Sequence, residues 1–265
     1  MSGVPIVMYH ALSAPGTPGT PVFARLTLAP GLLEAHLGYL SEEGYQAITI
    51  SELTERRRRG ALGQANRLIA LTFDDVYADF GDVALPTLLR YGMAATLFVP
   101  TCYVGGHSGW MGSTGEGGRA VLSWRELKII SQWGIEIGAH SHTHPELDML
   151  APQELAEQTA LPKVLLEDRL GLPVRSFAYP YGRYDRRVRD AVATAGYSGA
   201  CTMNMWAATS RDHRLELPRI AVFDDTDLAT RLAACRGPVR RAALRARRAA
   251  QVRARHWRVR PAGRP

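Results

Sequence analysis

Short runs of consecutive apolar residues alternate along the chain with segments whose apolar positions recur every three or four residues, the pattern of buried strands punctuated by amphipathic helices. Ile6–Tyr9 is the first apolar run. A proline- and glycine-rich loop over 14–21 leads to a helical pattern over 32–40, where Leu33, Leu37 and Leu40 share one face and Gly44 ends the element. Residues 47–50 read as a strand. The next helix starts near Ser51, whose hydroxyl is placed to cap it, and ends in Arg56 to Arg59 at the negative end of its dipole. Further strands are predicted over 68–73, 95–99, 135–139, 174–178, 199–202 and 217–222. Helices are predicted over 85–91, 123–132, 152–170 and 186–195. Ser123 and Glu126 form a capping box, Asp185 caps the helix from Arg186, and Pro162 should kink or split the long helix. The glycine-rich stretch 105–118 has no period.

Strands joined by helical crossovers predict a parallel sheet covered on both faces, and seven or eight such units predict an α/β fold of the (β/α) barrel type. At 265 residues with 46% apolar and 22% charged residues, one large domain is the economical reading, and disordered, collagen-like and disulfide-scaffold chains are excluded. Cys102, Cys201 and Cys235 are odd in number and form no CxxC pair, so free thiols are expected. No apolar run reaches the roughly 18 residues of a spanning helix, and residues 1–5 carry no basic leader. The expectation is a cytoplasmic protein working near the inner membrane surface, the alternative being a start codon further upstream.

Charge divides the chain. The formal net charge is +7, and residues 231–265 hold 12 arginines and no acid, leaving 7 − 12 = −5 for residues 1–230. The expectation is a barrel over 1–235 and a basic Arg/Ala-rich tail over 236–265, helical or disordered. Such a tail suits an anionic membrane surface or is a solvated appendix. Nucleic acid is not expected as a partner, because no recognition motif or aromatic-interleaved basic groove accompanies it.

Catalytic groups of parallel α/β barrels sit on the loops leaving the C-terminal ends of the strands. Those ends deliver His10, then Asp74-Asp75, then His140-Ser141-His142-Thr143-His144, then Tyr179-Pro180-Tyr181-Gly182. Two adjacent carboxylates at a buried strand end repel and desolvate unless a cation lies near, and imidazole with carboxylate is the ligand set of a borderline ion such as zinc. One divalent metal satisfies both clusters.

Thr72-Phe73-Asp74-Asp75, His140-Ser141-His142-Thr143-His144 and Tyr179-Pro180-Tyr181-Gly182 resemble, in order and spacing, the motifs of the polysaccharide deacetylases of carbohydrate esterase family 4, over about residues 4–235. The resemblance implies a distorted or incomplete barrel and a metal-dependent hydrolase removing N-acetyl groups from amino sugars in a glycan or glycan precursor, lipid-linked precursors included. It implies Asp74 as catalytic base, Asp75, His140 and His144 as ligands of a divalent metal, Zn2+ first among them, and the Tyr181 backbone N–H as oxyanion donor. Three departures stand out. A late Leu-x-His motif is missing, so His10 is the candidate acid, the other reading being a structural histidine. The arginine that orients the base is missing from the third motif; Arg219 either reaches inward to replace it or forms a peripheral ion pair. Val76 stands where glycine is usual and would narrow the mouth. Pro180, Tyr181, Trp124 and Arg219 are candidate substrate contacts, with Trp110, Trp206, Tyr103 and Tyr184 as further aromatic candidates for a sugar platform. The altered motifs keep two alternatives open: hydrolysis of a non-sugar C–N bond, and a catalytically weakened carbohydrate-binding relative.

Overall fold

The computed structural model describes residues 3–13, 21–63, 67–223 and 226–235, so the expectations for the tail over 236–265 lie outside the described residues. Eight strands form one parallel sheet: β1 (Ile6–Tyr9), β4 (Gln46–Ile48), β5 (Leu68–Asp74), β6 (Ala95–Val99), β7 (Ile135–Ala139), β8 (Ser176–Ala178), β9 (Gly199–Cys201) and β10 (Ile220–Ala221). Their order is β10-β1-β5-β6-β7-β8-β9, with β4 beside the start of β5. The two ends of the sheet join at Leu217, whose N–H donates to the Ala200 carbonyl and whose carbonyl accepts from Thr202 N–H, both at 2.8 Å, with Ala200 N–H donating to Arg214 O and Met205 N–H to Arg219 O on either side. β9 and β10 are not paired in the sheet, and Leu217 meets Cys201 as an isolated bridge, so the cylinder is incomplete at this seam.

Alternation along the strands divides the core in two. Ile69, Leu71 and Phe73 face the helix layer, where Leu33, Leu37 and Leu40 of α2 (Pro30–Glu42) meet them; Leu68 and Ala70 face the barrel interior with Ile6, Phe98, Ala178 and Cys201. By the same parity Thr72 and Asp74 point inward at the far end of β5. Gly138 is required here, since a Cβ would lie 2.6 Å from the Ser176 hydroxyl and 2.7 Å from the Phe98 ring.

The base of the barrel is closed by α3 (Ile50–Arg58), entering with its N-terminus. Ile50 N–H donates to Thr96 Oγ1 and Ser51 N–H to Glu136 Oε2, each at 3.0 Å, while Glu136 also accepts from Thr96 and Ser176. Thr49, not Ser51, is the N-cap, with its hydroxyl accepting from Glu52 N–H at 3.2 Å. The predicted strand over 47–50 therefore ends at Ile48, because the apolar Ile50 belongs to the helix that plugs the base.

The outer helices follow the expected order: α4 (Leu85–Arg90), α5 (Trp124–Ser131) with its capping box, α6 (Pro152–Leu170) and α7 (Arg186–Thr194) capped by Asp185. Pro162 does not split α6. Leu155, Thr159, Pro162, Leu166 and Leu170 form one buried stripe at helical spacing, and packing on both sides of the proline holds the element together. Unforeseen from the sequence are the parallel pair β2 (Ala11–Leu12) with β3 (Thr27–Leu28) and the single turn α1 (Pro21–Ala24) before β3, all too short to show a period. All three cysteines are free thiols, and among the described residues no helix is long and apolar enough to cross a membrane.

Thr49→Ala is expected to cost about 1 kcal/mol of stability, the usual worth of an N-cap, and Ser51→Ala less than about 0.5 kcal/mol. Urea unfolding of the two variants checks this; equal losses would return the cap to Ser51.

Candidate functional site

At the C-terminal end of β5 the chain leaves its extended path abruptly. Asp75 has φ 73° and Val76 φ 50°, a left-handed conformation costly for a β-branched residue and maintained only where surroundings over-determine it. Leu122 N–H donates to the Val76 carbonyl at 3.0 Å, and the Val76 side chain is 1% exposed in the helix-side core. Val76 thus does not narrow the mouth. Its turn instead brings Asp75 round to the cleft that Asp74 already faces.

Arg219 reaches inward. Its two terminal nitrogens bind the two oxygens of Asp74 at 2.6 and 2.7 Å, its Nε donates to Thr202 O, and Nη1 also contacts Thr72 Oγ1. Both partners are buried. Burial alone would raise the Asp74 carboxyl, but the charge of Arg219, helped by His140, overrides it and holds Asp74 well below the carboxylate range. Arg219 is neither a peripheral ion pair nor a substrate contact, because at 1% exposure its guanidinium is committed to Asp74.

β7 hands His140 to the same cleft. Its Nδ1 lies 2.8 Å from the Ala178 carbonyl, an arrangement that places the proton on Nδ1 and leaves the Nε2 lone pair facing Asp75 and His144. Ser141 and His144 both have positive φ, 64° and 59°. Contacts from outside hold this strained loop. Gln158 Oε1 on α6 accepts from the N–H groups of His142 and Thr143 at 3.0 and 2.9 Å, the Gln158 amide donates to Thr143 Oγ1, and Thr101 Oγ1 pairs with His142 Nδ1. Ser141 Oγ accepts from His144 N–H at 3.0 Å. His142 is thereby tied to the loop scaffold rather than the cleft. Gln158 and Thr101 are the two residues that chain spacing does not reveal, because they come from other elements and brace the loop through backbone N–H groups and side chains outside the motif pattern.

Asp75, His140 and His144 form a buried group able to hold a metal ion. Asp75 Oδ1 lies 3.6 and 3.4 Å from the Nε2 atoms of His140 and His144, and those nitrogens are 3.3 Å apart. Ligand atoms set tetrahedrally at about 2.1 Å from one ion lie about 3.4 Å from each other, so the spacing fits. Among the described residues, Asp75 Oδ1 and His144 Nδ1 have no hydrogen-bond partner. Burial first and the Asp74 charge second push Asp75 well above the usual carboxylate range, while burial pulls both imidazoles down. The lowered imidazoles already hold the neutral form that ligates a metal, and Asp75 is the group whose ionisation a bound cation would favour.

His10 continues the inward parity of Ile6 and Met8. Burial first lowers its imidazole to about 4, with the charge of Asp74 opposing and those of Arg219 and His140 reinforcing, which sets it within electrostatic reach of the base. The Tyr179-Pro180-Tyr181-Gly182 turn closes the cleft: Tyr181 has φ 58° and ψ 10°, is 46% exposed, and sets its ring 4.7 Å from that of His144. Pro180 is buried beneath it. Gly182 is needed, since a Cβ there would meet the Met203 Cβ at 2.7 Å.

Of the aromatic candidates, Trp110 stands 5.5 Å from His144 and Tyr103 4.8 Å from Trp110, so both line the mouth. Trp124 does not join them. Its ring lies under the Arg169 guanidinium in the last turn of α6, the end of that helix away from the histidine loop. Trp206 is buried, and Tyr184 stacks on Tyr179. Tyr77, unforeseen, donates toward Asp75 Oδ2 at 3.5 Å.

A family model described as polysaccharide deacetylase matches residues 62–200. The protein YxkH of Bacillus subtilis is 29% identical over 223 residues, 83% of this chain and 71% of its own. A Staphylococcus aureus poly-beta-1,6-N-acetyl-D-glucosamine N-deacetylase is 23% identical over 201 residues, 72% of this chain and 66% of its own. Among solved structures, the Streptococcus pyogenes deacetylase PplD in complex with acetate superposes with TM-score 0.75 and 28% identity, covering 89% of this chain and 99% of that one. IcaB from Ammonifex degensii shares the fold at TM-score 0.71 and 23% identity, over 88% of this chain and 95% of that one.

Two measurements test the electrostatics. Arg219→Leu should destabilise the fold by about 3–5 kcal/mol, because it strands a buried carboxylate, and adding Asp74→Leu should recover most of that loss in denaturant unfolding. His10 should make metal-free protein pH-sensitive. Its folded value of about 4 lies below the unfolded value near 6.5, so the stability conferred by neutral His10 is complete above pH 6.5 and is lost as pH falls toward 4. The stability difference between wild type and His10→Asn, measured from pH 7.5 to 4.5, should shift against wild type as pH falls; a constant difference would contradict the assignment.

Proposed function

Because the chain belongs to the polysaccharide deacetylase family, we propose that it hydrolyses N-acetyl groups from amino sugars of a glycan or glycan precursor, releasing acetate. The observation that carries this reading is the convergence of Asp75, His140 and His144 beside an Asp74 that Arg219 keeps ionised. Asp75 Oδ1 and the two Nε2 atoms would hold a divalent cation, zinc by the chemistry of the donor set. When bound, that cation supplies Lewis acidity, making water acidic near neutral pH and polarising an acetamido carbonyl.

Asp74 acts as the base. Its Oδ2 is the oxygen turned toward His140 Nε2, 3.9 Å away, and takes the proton of the attacking water while Arg219 fixes the plane of the carboxylate. The Tyr181 N–H, presented by its left-handed turn, donates to the charge developing on the acyl oxygen; a donor of this kind is worth about 3 kcal/mol. His10 rests neutral; as negative charge develops beside it, it takes up the proton that Asp74 drew from water and gives it to the departing amine nitrogen, so the proton lost by the water ends on the amine and both side chains return to their resting forms. Tyr181, Trp110 and Tyr103 offer ring faces to a pyranose at the mouth. The Staphylococcus aureus relative points to N-acetylglucosamine polymers as the substrate class. A lipid-linked precursor at the inner membrane surface, with the Arg-rich tail against anionic headgroups, is the proposed setting.

Arg219, just before β10, supplies the tether absent from the third motif, which removes one of the two reasons for reading the chain as a weakened carbohydrate binder. Acetate release from β-1,6-linked N-acetylglucosamine oligomers should require metal and stop with chelator. Asp74→Asn should lower kcat by roughly 100-fold or more with metal content retained. Unchanged acetate release by Asp74→Asn would remove the base, and full activity in metal-free protein would remove the reading altogether.

A further inference from the structure

At the end of the barrel opposite the catalytic rim, where β8 and β9 begin, a groove of about 880 Å³ runs between α3, the turn from α7 into β9 and the loop after Thr209. Arg57, Arg58, Arg59, Arg175 and Arg214 line it against a single acid, Glu55, a formal +5 against −1. Glu55 is already committed. Arg58 and Arg59 bind its carboxylate at 2.7 and 2.6 Å and, through those hydrogen bonds, pull it down to about 2.

The other three guanidiniums have no carboxylate at ion-pair distance among the described residues. Arg57 Nη2 donates to the Asp212 carbonyl and its Nη1 is buried without a partner; Arg214 Nη1 donates to the carbonyls of Tyr197 and Ser198; Arg175 is exposed on the opposite wall. Residues 1–230 carry a net −5, so this concentration of positive charge is local and not a consequence of composition. Converging like charges repel, and a multivalent anion between them relieves the repulsion. Guanidinium forks match phosphate oxygens in bidentate geometry, and the volume lies in the range of sites for small organic ligands rather than bare ions.

We propose that this groove binds a phosphate ester, the phosphate seated among Arg57, Arg175 and Arg214. It lies at the opposite end of the barrel from the cleft and does not depend on the deacetylase reading. The same chemistry is offered by a soluble glycerol or sugar phosphate and by an anionic lipid headgroup.

The test uses the full chain and the double variant Arg175→Gln/Arg214→Gln, which keeps the Arg-rich tail. Calorimetric titrations with glycerol 3-phosphate and with inorganic pyrophosphate are run beside sedimentation with phosphatidylglycerol and phosphatidylcholine vesicles. Wild type should show one saturable site that the double variant weakens at least tenfold, with unfolding midpoint and acetate release unchanged. Groove-dependent binding of the soluble esters identifies a soluble ligand; groove-dependent binding confined to phosphatidylglycerol identifies a headgroup. Binding that is absent, or equal in wild type and variant in every arm, overturns the proposal.

Discussion

Two carboxylates adjacent in sequence and buried together cannot both remain charged without separate counter-charges, and the architecture of the rim answers that constraint. Asp74 receives a guanidinium through two hydrogen bonds. Asp75, turned aside by two consecutive left-handed residues, receives no cation from the protein and instead faces two imidazole nitrogens. The same chemical group is thereby given two environments, one that keeps a carboxylate ionised and one that sets a carboxyl oxygen against two imidazole nitrogens. The strain at Val76, the loop clamp from Gln158 and the carbonyl contact of His140 all maintain that division.

Much of this was legible in the chain because the informative signals are local. The apolar runs located the strands, and the carboxylate pair, the histidine cluster and the Tyr-Pro-Tyr-Gly turn sit where strands end. Arg219 was ambiguous for a physical reason: its partner is 145 positions away, and a lone arginine after a proline carries no mark of which way it points. Helix entry at Thr49 was misplaced because Ile50 fits a strand as well as it fits the plug of a barrel. Trp124 and Trp110 have equal claims in sequence, and only the packing of α5 against α6 separates them. Val76 misled because a substitution at a motif position suggests a changed opening, whereas its side chain is swallowed by the core.

The barrel also separates its tasks along its axis. The clustered carboxylates and imidazoles sit at the strand exits, while the strand entrances are closed by a helix whose first N–H groups are absorbed by Thr96 and Glu136. That closure leaves the arginines of the same helix facing outward at the base. A conformational demand of folding, seating a helix N-terminus in a polar ring, thus sets where the basic surface lies.

The seam beside Leu217 has a consequence for how the molecule fails. The guanidinium that keeps Asp74 ionised is delivered by the very stretch where the cylinder is joined through an isolated bridge and a few loop hydrogen bonds rather than a paired strand. Fraying there strips the base of its counter-ion while β5, β6 and β7, the broad middle of the sheet, still hold their register. Reactivity is therefore more fragile than shape in this molecule.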